Sequence, residues 1–330
     1  MTTYDEAIDA WEKSRLAFGE VRESTAVKAA KNARRLSKSI GGKTVDEITV
    51  SELEDALIEL KANGHERREG GVSGETLRKT FIAGSAACKW AINHDMAAIN
   101  PFERVKCPNG AKAKHDGTLT EEEAEWVIDA ARRELESSTL GFYTEQKVKN
   151  AICCMYVIIA LNTGMRRGEI CALDWGDIAD DHISVRKAVK DNVEIGEPKT
   201  RASVRRISIG SELSALLGAY KVWQSEFIEQ SDETPVLAGY DGERISMNTL
   251  EHWWKAFREQ AGIEKTRLHD LRHTHATILI SRGVDVKTVQ TRLGHSSAMM
   301  TLDVYSHAVP RNDMQAANDL DAMLMGRDDR

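Results

Sequence analysis

Apolar side chains recur along the first hundred residues at the three- and four-residue spacing that places them on one face of a helix. Two such sets follow one another along the chain: Leu53, Leu57 and Leu60, then Leu77, Phe81, Cys88 and Ile92. A third helix is predicted from Thr25 to Ile40, and the glycine pair Gly41-Gly42 would end it. Residues 1–106 are therefore predicted to form a small, all-helical bundle.

Beyond residue 118 the pattern predicts a mixed region of helices and short strands. The longest apolar run, Ala151–Leu161, lies within a predicted buried helix from about Gln146 to Asn162. The alternating, β-branched stretches His182–Val185 and Arg206–Ile209 predict a small antiparallel sheet. Further helices are predicted near 211–229, 247–261, 270–281, 286–293 and 299–306, and an amphipathic C-terminal helix at about 312–325. The predicted fold class is mainly α with a small antiparallel β-sheet.

Local sequence patterns predict where helices begin and where the two regions divide. A Ser or Thr followed three residues later by Glu is typical of a capping box, which occurs at Thr3–Glu6, Ser51–Glu54 and Thr120–Glu123. Residues 107–118 (CPNGAKAKHDGT) contain Pro, Gly and Lys without apolar periodicity, which indicates a flexible linker. Because 330 residues are enough for two domains, we expect a helical domain at 1–106 and a second domain at 119–330.

The composition is that of an ordinary globular protein, with 41% hydrophobic and 29% charged residues. No apolar run reaches the ~20 residues that a membrane-spanning helix needs, and the acidic, amphipathic N-terminus is unlike a signal peptide. The five cysteines show no C-x-x-C spacing, which favours reduced thiols in the cytoplasm over a zinc site. We therefore expect a cytoplasmic protein with no membrane partner.

Charge is distributed unevenly along the chain. The net charge of −7 counts against a nucleic-acid binder, but two segments are strongly basic. Residues 22–43 carry seven basic side chains against one acid, and residues 199–206 carry four with none. A solvated charged face is the simpler explanation of the first segment when the helix is taken alone. The distribution nevertheless predicts basic surfaces on an acidic body.

Candidate chemistry is concentrated between Arg267 and Tyr305. His269 and Arg272 stand three positions apart, so an imidazole and a guanidinium can project from one helix face. His295 and Tyr305 follow, and the set contains no metal-binding carboxylate. A fork-shaped cation, two imidazoles and a phenol suit a phosphate that is held and attacked by an oxygen nucleophile.

The order H-x-x-R, L-G-H and Y in this stretch resembles the signature of the tyrosine recombinase (phage integrase) family. Upstream, Thr163–Ile170 (TGMRRGEI) is similar to the family's T-G-x-R-x-G-E box, and Pro198–Arg205 (PKTRASVR) is similar to its hairpin pattern K-T-x-x-S-x-R. Four boxes in the same order as in the family are a specific signal. The resemblance implies the following catalytic set: Arg166, Lys199, His269, Arg272, His295 and the nucleophile Tyr305.

The resemblance also implies a fold and a reaction. The expected fold is a helical core-binding (SAM-like) domain followed by a mixed α/β catalytic domain of the DNA breaking-rejoining type. The expected reaction cuts and rejoins DNA through a 3′-phosphotyrosyl intermediate on Tyr305, without ATP, metal or cofactor. Glu169 and Asp270 would orient the arginine and imidazole boxes, whereas His273 and His275 would pack or form hydrogen bonds.

The implied partners are double-stranded DNA and further copies of the chain. A homo-tetramer would join two DNA sites, with the helix at 312–325 docking in cis or in trans, and an accessory directionality factor is a further candidate. Such a protein would work in the cytoplasm on nucleoid DNA, for a phage or mobile element. The expected DNA contacts are basic side chains: Lys28, Lys31, Arg34, Arg35, Lys38, Arg201, Arg205 and Arg206.

Other functions remain open at this point. A chromosome-dimer resolvase of the same family and a type IB topoisomerase-like enzyme share the chemistry, and a DNA-binding regulator could have lost it. The segment LGHSSAMMTLDVYSH resembles phage and transposon members, which favours an integrase. His269 and His273 also have the i, i+4 spacing of a zinc helix, but no Glu occupies the general-base position between them.

Overall fold

The computed structural model of the chain describes residues 1–19, 21–64, 70–110, 117–190, 194–196, 203–295 and 312–325. The predicted helix at 299–306 and the predicted site residues Lys199, Arg201 and Tyr305 lie outside the described residues. The chain divides into two compact units, Met1–His115 and Asp116–Arg330.

The first unit is helical. Its elements are α1 (Tyr4–Ala17), α2 (Glu23–Ala33), α3 (Ser37–Ile40), α4 (Val50–Asn63) and α5 (Gly74–Asn93), with 3-10 turns at Arg34–Leu36, Val45–Glu47 and Pro101–Arg104. Tyr4, Phe81 and Phe102 form an aromatic centre in its core. Gly84 lies against this centre, because a Cβ there would come within 2.5 Å of the Phe102 ring. A glycine therefore lets α5 approach the ring closely.

Two predicted details of the first unit are wrong. The predicted helix Thr25–Ile40 is interrupted by a 3-10 turn, and this tighter path lets both Leu36 and Ile40 reach the core. The capping box of α4 lies at Thr49–Glu52, where the backbone N–H of Thr49 donates to the Glu52 carboxylate at 3.1 Å. Ser51 is already inside the helix. The boxes predicted at Thr3–Glu6 and Thr120–Glu123 are confirmed.

The second unit combines helices with short antiparallel strands. Its elements are α6 (Glu121–Thr139), α7 (Glu145–Thr163), α8 (Arg167–Cys171), β1 (His182–Val185), β2 (Ala188–Val189), β3 (Ile195–Gly196), β4 (Arg205–Ser208), α9 (Ser211–Gln224), α10 (Met247–Gln260), α11 (Leu268–Ser281), α12 (Val286–Leu293) and α13 (Asn312–Met325). Strand β1 pairs with β4 in the register Ile183↔Ile207, and β2 pairs with β3. The predicted fold class, mainly α with small antiparallel pairing, is confirmed.

Helix α7 is the centre of the second unit. It is buried on all sides along most of its length and packs against α6, α10 and α11. It ends at Gly164, whose left-handed backbone (φ 64°) favours glycine and whose Cβ, if present, would meet the His275 ring at 2.4 Å. The chain then becomes extended at Arg166 and enters α8. A sharp turn after a rigid helix therefore fixes the position of Arg166.

Helix α13, the predicted amphipathic helix, exposes several large apolar side chains. Met314, Leu320 and Leu324 are between 54% and 72% exposed. The rest of the described chain therefore leaves these side chains uncovered. Separately, none of the described helices combines the length and the apolar character needed to cross a bilayer.

Candidate active site

Arg166 is held at the start of α8 by bonds from both its backbone and its side chain. Its backbone N–H and its Nη1 each donate to the Glu169 carboxylate at 2.8 Å. Its Nη2 donates to the carbonyl oxygen of Gly294 at 2.7 Å. The side chain remains 34% exposed, so part of this fixed guanidinium faces outward.

Arg272 lies on α11 and is almost completely buried. Its Nη1 donates to the carbonyl of Gly164 and its Nη2 to the carbonyl of Leu293, each at 2.7 Å. Burial and the positive charge of Arg166 lower the pKa of Arg272 to about 9, and the carboxylate of Glu169 opposes this shift. The guanidinium therefore keeps its proton at neutral pH and joins the two turns that flank the site.

Glu169 is the anion of this cluster and is 3% exposed. Burial raises its pKa, but the hydrogen bonds and charges of Arg205 and Arg166 outweigh burial and hold the pKa of Glu169 below its usual value. It is therefore a carboxylate that balances one of the three guanidinium groups of Arg166, Arg205 and Arg272. Two positive charges remain for an anionic ligand.

Arg205, predicted to contact DNA, has a side chain that is held inside the protein. Its side chain is 5% exposed, with Nη2 on Glu169 at 2.9 Å and Nε on the carbonyl of Arg292 at 2.7 Å. Nη1 donates to Glu169 and to the carbonyl of Ser203. These bonds engage most of the donors of Arg205 inside the protein, where the side chain supports Glu169, so it is a poorer candidate for a phosphate contact than the exposed Arg206.

The histidines of the two downstream boxes are neutral at physiological pH. His269 is exposed on the surface of the unit, but desolvation of its ring by the neighbouring protein atoms, the imidazole of His273 and the charge of Arg272 lower the pKa of His269 to about 4. Burial and the charges of Arg272 and Arg166 lower the pKa of His295 to about 4. A neutral imidazole offers one donor and one acceptor, which suits proton transfer.

His269 and His273 are close neighbours on α11, with ring centroids 4.9 Å apart and planes at 90°. This is the pair that has zinc-helix spacing. Within the ranges that the structure describes, no group of three or more His, Cys, Asp or Glu side chains could hold a metal ion. The histidine pair therefore has no third ligand of these types in that part of the chain.

The basic side chains outside this cluster differ in their surroundings. On the second unit Arg206 is exposed on β4. On the first unit Lys28 and Lys38 are exposed, whereas Arg34 donates to Asp9 at 2.7 Å and to Glu12 at 2.6 Å. The two carboxylates already balance Arg34, so it is a poor candidate for a phosphate contact, contrary to expectation.

Arg292 lies beside this cluster, although the sequence patterns did not single it out. It directly precedes Leu293-Gly294-His295, and its guanidinium bonds mainly to backbone carbonyls. Every residue has a backbone carbonyl, so the spacing of residue types does not show which carbonyls will accept these bonds. The position of Arg292 directly before the L-G-H box was therefore the signal in the sequence that could have pointed to it.

Residues 118–311, more than half of the chain, match the model of the phage integrase family. The chain belongs to the phage integrase family. The same residues contain all four boxes, and the predicted family is confirmed.

Three known proteins show the extent of the similarity to this phage integrase family member. The ICEBs1 integrase of Bacillus subtilis (strain 168) is 29% identical over 266 residues, which cover 78% of this chain and 68% of that protein. The Tn1549 transposon integrase, solved with a circular intermediate DNA, has a TM-score of 0.74 at 20% identity and covers 97% of this chain and 100% of that one. A lambda integrase tetramer bound to a Holliday junction has a TM-score of 0.65 at 18% identity over 90% of this chain and 79% of that one.

Family membership establishes the class of enzyme. This phage integrase family member is a site-specific DNA recombinase of the tyrosine type, which is a DNA strand transferase. The enzyme class predicted from the four boxes is therefore confirmed.

Proposed function

We propose that this recombinase is the integrase of a mobile element and that it cuts and rejoins DNA through a 3′-phosphotyrosyl intermediate on Tyr305. The observation that carries the proposal is the convergence of Arg166 and Arg272 on the turns at Gly164 and Gly294. Two fixed guanidinium groups and two neutral imidazoles from distant parts of the chain meet there. A scissile phosphate is the ligand that this combination suits best.

Arg166 and Arg272 hold the non-bridging oxygens of the scissile phosphate. Attack on a phosphodiester adds negative charge to those oxygens in the transition state, and fixed cations stabilise that charge without reorganising. The guanidinium groups are already oriented by carbonyl and carboxylate partners. A planar fork with several nitrogens can keep such bonds while it donates to a phosphate, whereas the donors of a lysine all lie on one nitrogen and do not reproduce this geometry.

Tyr305, His269, His295 and Lys199 complete the reaction. The phenol oxygen of Tyr305 forms a bond to phosphorus, and the bond from phosphorus to the 5′ oxygen breaks. His269 or His295 accepts the phenol proton, which their neutral state at pH 7 permits. Lys199 donates a proton to the leaving 5′ oxygen. The roles of Tyr305 and Lys199 rest on their places in the family boxes.

The two domains divide the work of binding DNA. We assign residues 1–106 to a core-binding domain, 107–118 to a linker and 119–330 to the catalytic domain. Phosphate contacts come from basic side chains, and the candidates that remain are Lys28, Lys31, Arg35, Lys38, Arg201 and Arg206. Because phosphate neutralisation releases counterions, binding weakens steeply as salt rises.

Recombination is carried out by a homo-tetramer on two DNA sites. The support is the set of apolar side chains that α13 leaves exposed, namely Met314, Leu320 and Leu324, which a neighbouring protomer would cover. The lambda integrase tetramer offers a similar fold as precedent. An accessory factor that sets direction and a location on the nucleoid complete the proposal.

The rival functions receive less support. A chromosome-dimer resolvase shares the chemistry, but no observation on this chain favours it over an integrase. A regulator without catalysis would have no need of two arginines whose orientation is fixed by five hydrogen bonds to Glu169 and three carbonyls.

A suicide substrate tests the nucleophile. A duplex that carries the junction sequence found beside the gene is nicked near the cleavage point, so that the cleaved strand diffuses away and the covalent adduct persists. Wild type is expected to form the adduct, and Tyr305→Phe is expected to form none. The matched control is Tyr240→Phe, because Tyr240 is exposed and outside the four boxes. An adduct with Tyr305→Phe would refute the assignment.

A further inference from the structure

His275 lies on α11 one turn after Arg272 and is 5% exposed. Its Nδ1 is 2.8 Å from the carbonyl oxygen of Leu161, and its Nε2 is 3.2 Å from Nε of Arg292. A carbonyl can only accept, so Nδ1 carries the proton and donates to Leu161. Nε2 is then the acceptor for the Arg292 N–H. The two neighbours therefore fix one neutral tautomer of His275.

The guanidinium of Arg292 also bonds two further elements, so that this clamp holds three elements together. Its Nη2 donates to the carbonyl of Asn162 at 2.8 Å, and its Nη1 donates to the carbonyl of Ser208 on β4 at 3.0 Å. Leu161 and Asn162 belong to the last turn of α7, where helix carbonyls lack intrahelical partners. A cation at this helix end is also favoured by the helix dipole. One guanidinium thus ties α12 to α7, β4 and α11.

The clamp lies next to both turns that carry the active site. Asn162 is followed by Gly164 and Arg166, and Arg292 is followed by Leu293 and His295. Arg272 already joins these turns through the carbonyls of Gly164 and Leu293. His275 and Arg292 join the segments immediately before them. The two turns are therefore fixed relative to each other at two successive points.

We propose that His275 and Arg292 form a positioning pair that holds the turn bearing Arg166 against the turn bearing His295 without touching the DNA phosphate. This role rests on the proposed function of Arg166 and His295. His275 is buried and its two ring nitrogens are engaged by protein atoms, so it acts through the turns.

The pair requires a neutral His275. In the described part of the chain the charged groups that face it are Arg292 from α12 and Arg272 from α11, while α7 contributes the Leu161 carbonyl. Burial and these two arginines lower the pKa of His275 to about 4, against the opposing effect of the Leu161 hydrogen bond. The acceptor nitrogen is therefore available throughout the neutral range.

The first test separates binding from chemistry. His275→Phe keeps a planar ring but loses both hydrogen bonds, and His275→Gln keeps an acceptor that can face Arg292. We expect His275→Phe to bind the DNA duplex with unchanged affinity and to form the covalent adduct about 100-fold more slowly in a single turnover, because misplacing a reacting group by about 1 Å costs that much. His275→Gln is expected to recover most of the rate.

Controls distinguish positioning from general stability. Gln224→Met removes a fully buried hydrogen-bonding side chain whose partners are Trp175, Gln230 and the 235–236 backbone, so it should lower stability and leave the rate constant unchanged. Should His275→Phe fail to fold, Arg292→Lys replaces it, because a lysine keeps the charge and loses the three-way fork. The same slow rate with unchanged binding is expected.

The outcomes separate this proposal from the proposed function. If wild type forms no adduct, the proposed function fails. If wild type forms the adduct and His275→Phe forms it equally fast, the positioning pair is refuted. A loss of DNA affinity equal to the loss of rate, or a slow rate with Gln224→Met as well, also refutes it, since both indicate a purely structural role.

Discussion

Arg166 and Gly294 are joined by a hydrogen bond of 2.7 Å, from Nη2 to the carbonyl oxygen, across 128 positions of the chain. Gly294 ends α12 with a left-handed backbone (φ 65°), and His295 follows it. Arg272, for its part, donates to the carbonyl oxygen of Gly164, which lies two residues before Arg166. Each of the two arginines that we propose as catalytic thus donates to the carbonyl of a glycine that lies close to another residue of the proposed catalytic set. Replacing either arginine should therefore disturb more than its own phosphate contact.

Arg272→Lys is expected to slow covalent-adduct formation by about 10²–10³-fold, the usual cost of removing one donor that stabilises a transition-state oxyanion. Nη1 and Nη2 of Arg272 each bond a different carbonyl, and the one nitrogen of a lysine does not reproduce this two-nitrogen geometry beside a phosphate. The measurement is the single-turnover rate on a suicide substrate, alongside DNA affinity. Arg282→Lys, at the exposed end of α11, is the matched control and should keep the rate. An active Arg272→Lys would contradict the assigned role.

Gly164→Ala is expected to lower the free energy of unfolding by about 2–4 kcal/mol, because left-handed backbone strain and overpacking add. The new methyl group would meet the His275 ring at 2.4 Å. Gly283→Ala isolates the backbone part, since Gly283 also has a positive φ (80°) but nothing within 4 Å of its Cβ position. Urea denaturation measures both. Equal losses in the two variants would show that the ring contact is unimportant.

The sequence could predict local features but not the partners that make the site. Two overlapping patterns, at Thr49–Glu52 and Ser51–Glu54, satisfy the same capping rule, and only packing decides between them. Arg205 lies within a recognised box, yet its bond to Glu169, which stands 36 positions earlier, could not be predicted from the spacing. Whether a charged side chain is buried depends on tertiary contacts, and these cannot be predicted from the spacing of residues along the chain.

Glu169→Gln is expected to lower the free energy of unfolding by about 3–5 kcal/mol, the usual cost of removing one partner from a buried ion pair. Without the carboxylate, the guanidinium groups of Arg166 and Arg205 repel each other without compensation. Glu251→Gln is the control, because its pair with Arg167 is partly exposed and worth less than about 1 kcal/mol. Similar small losses in both variants would contradict the buried-cluster interpretation.

The DNA contacts proposed for the basic segment 22–43 can be tested by the salt dependence of binding. Lys28→Gln should weaken DNA binding and reduce the slope of log affinity against log salt by about one, because one phosphate contact is lost. Arg34→Gln is the paired control, since Asp9 and Glu12 already hold that guanidinium. Its slope should match wild type. Filter binding or fluorescence anisotropy at several salt concentrations gives both slopes. A reduced slope for Arg34→Gln and an unchanged slope for Lys28→Gln would reverse the assignment.

Stability should fall as pH drops through the range in which unfolded histidines gain protons. Burial lowers the pKa of His275 to about 4, so between about pH 6.5 and pH 4 the unfolded chain binds more protons than the folded chain. Its contribution is therefore complete above that range and is lost on acidification. Between pH 7 and pH 5, His275 alone should lower the free energy of unfolding by about 2 kcal/mol.

Urea denaturation at pH 7 and pH 5 measures this loss, and keeping to pH 5 limits the contribution of carboxylates such as Glu169, whose protonation belongs to lower pH. His269 and His295, whose pKa values are also lowered to about 4, should act in the same direction. His275→Gln removes one of these groups, so its stability should depend less on pH than that of wild type. Identical pH dependence in the two proteins would show that His275 is protonated as readily in the folded chain as in the unfolded one, which the bond from Arg292 to its Nε2 does not allow.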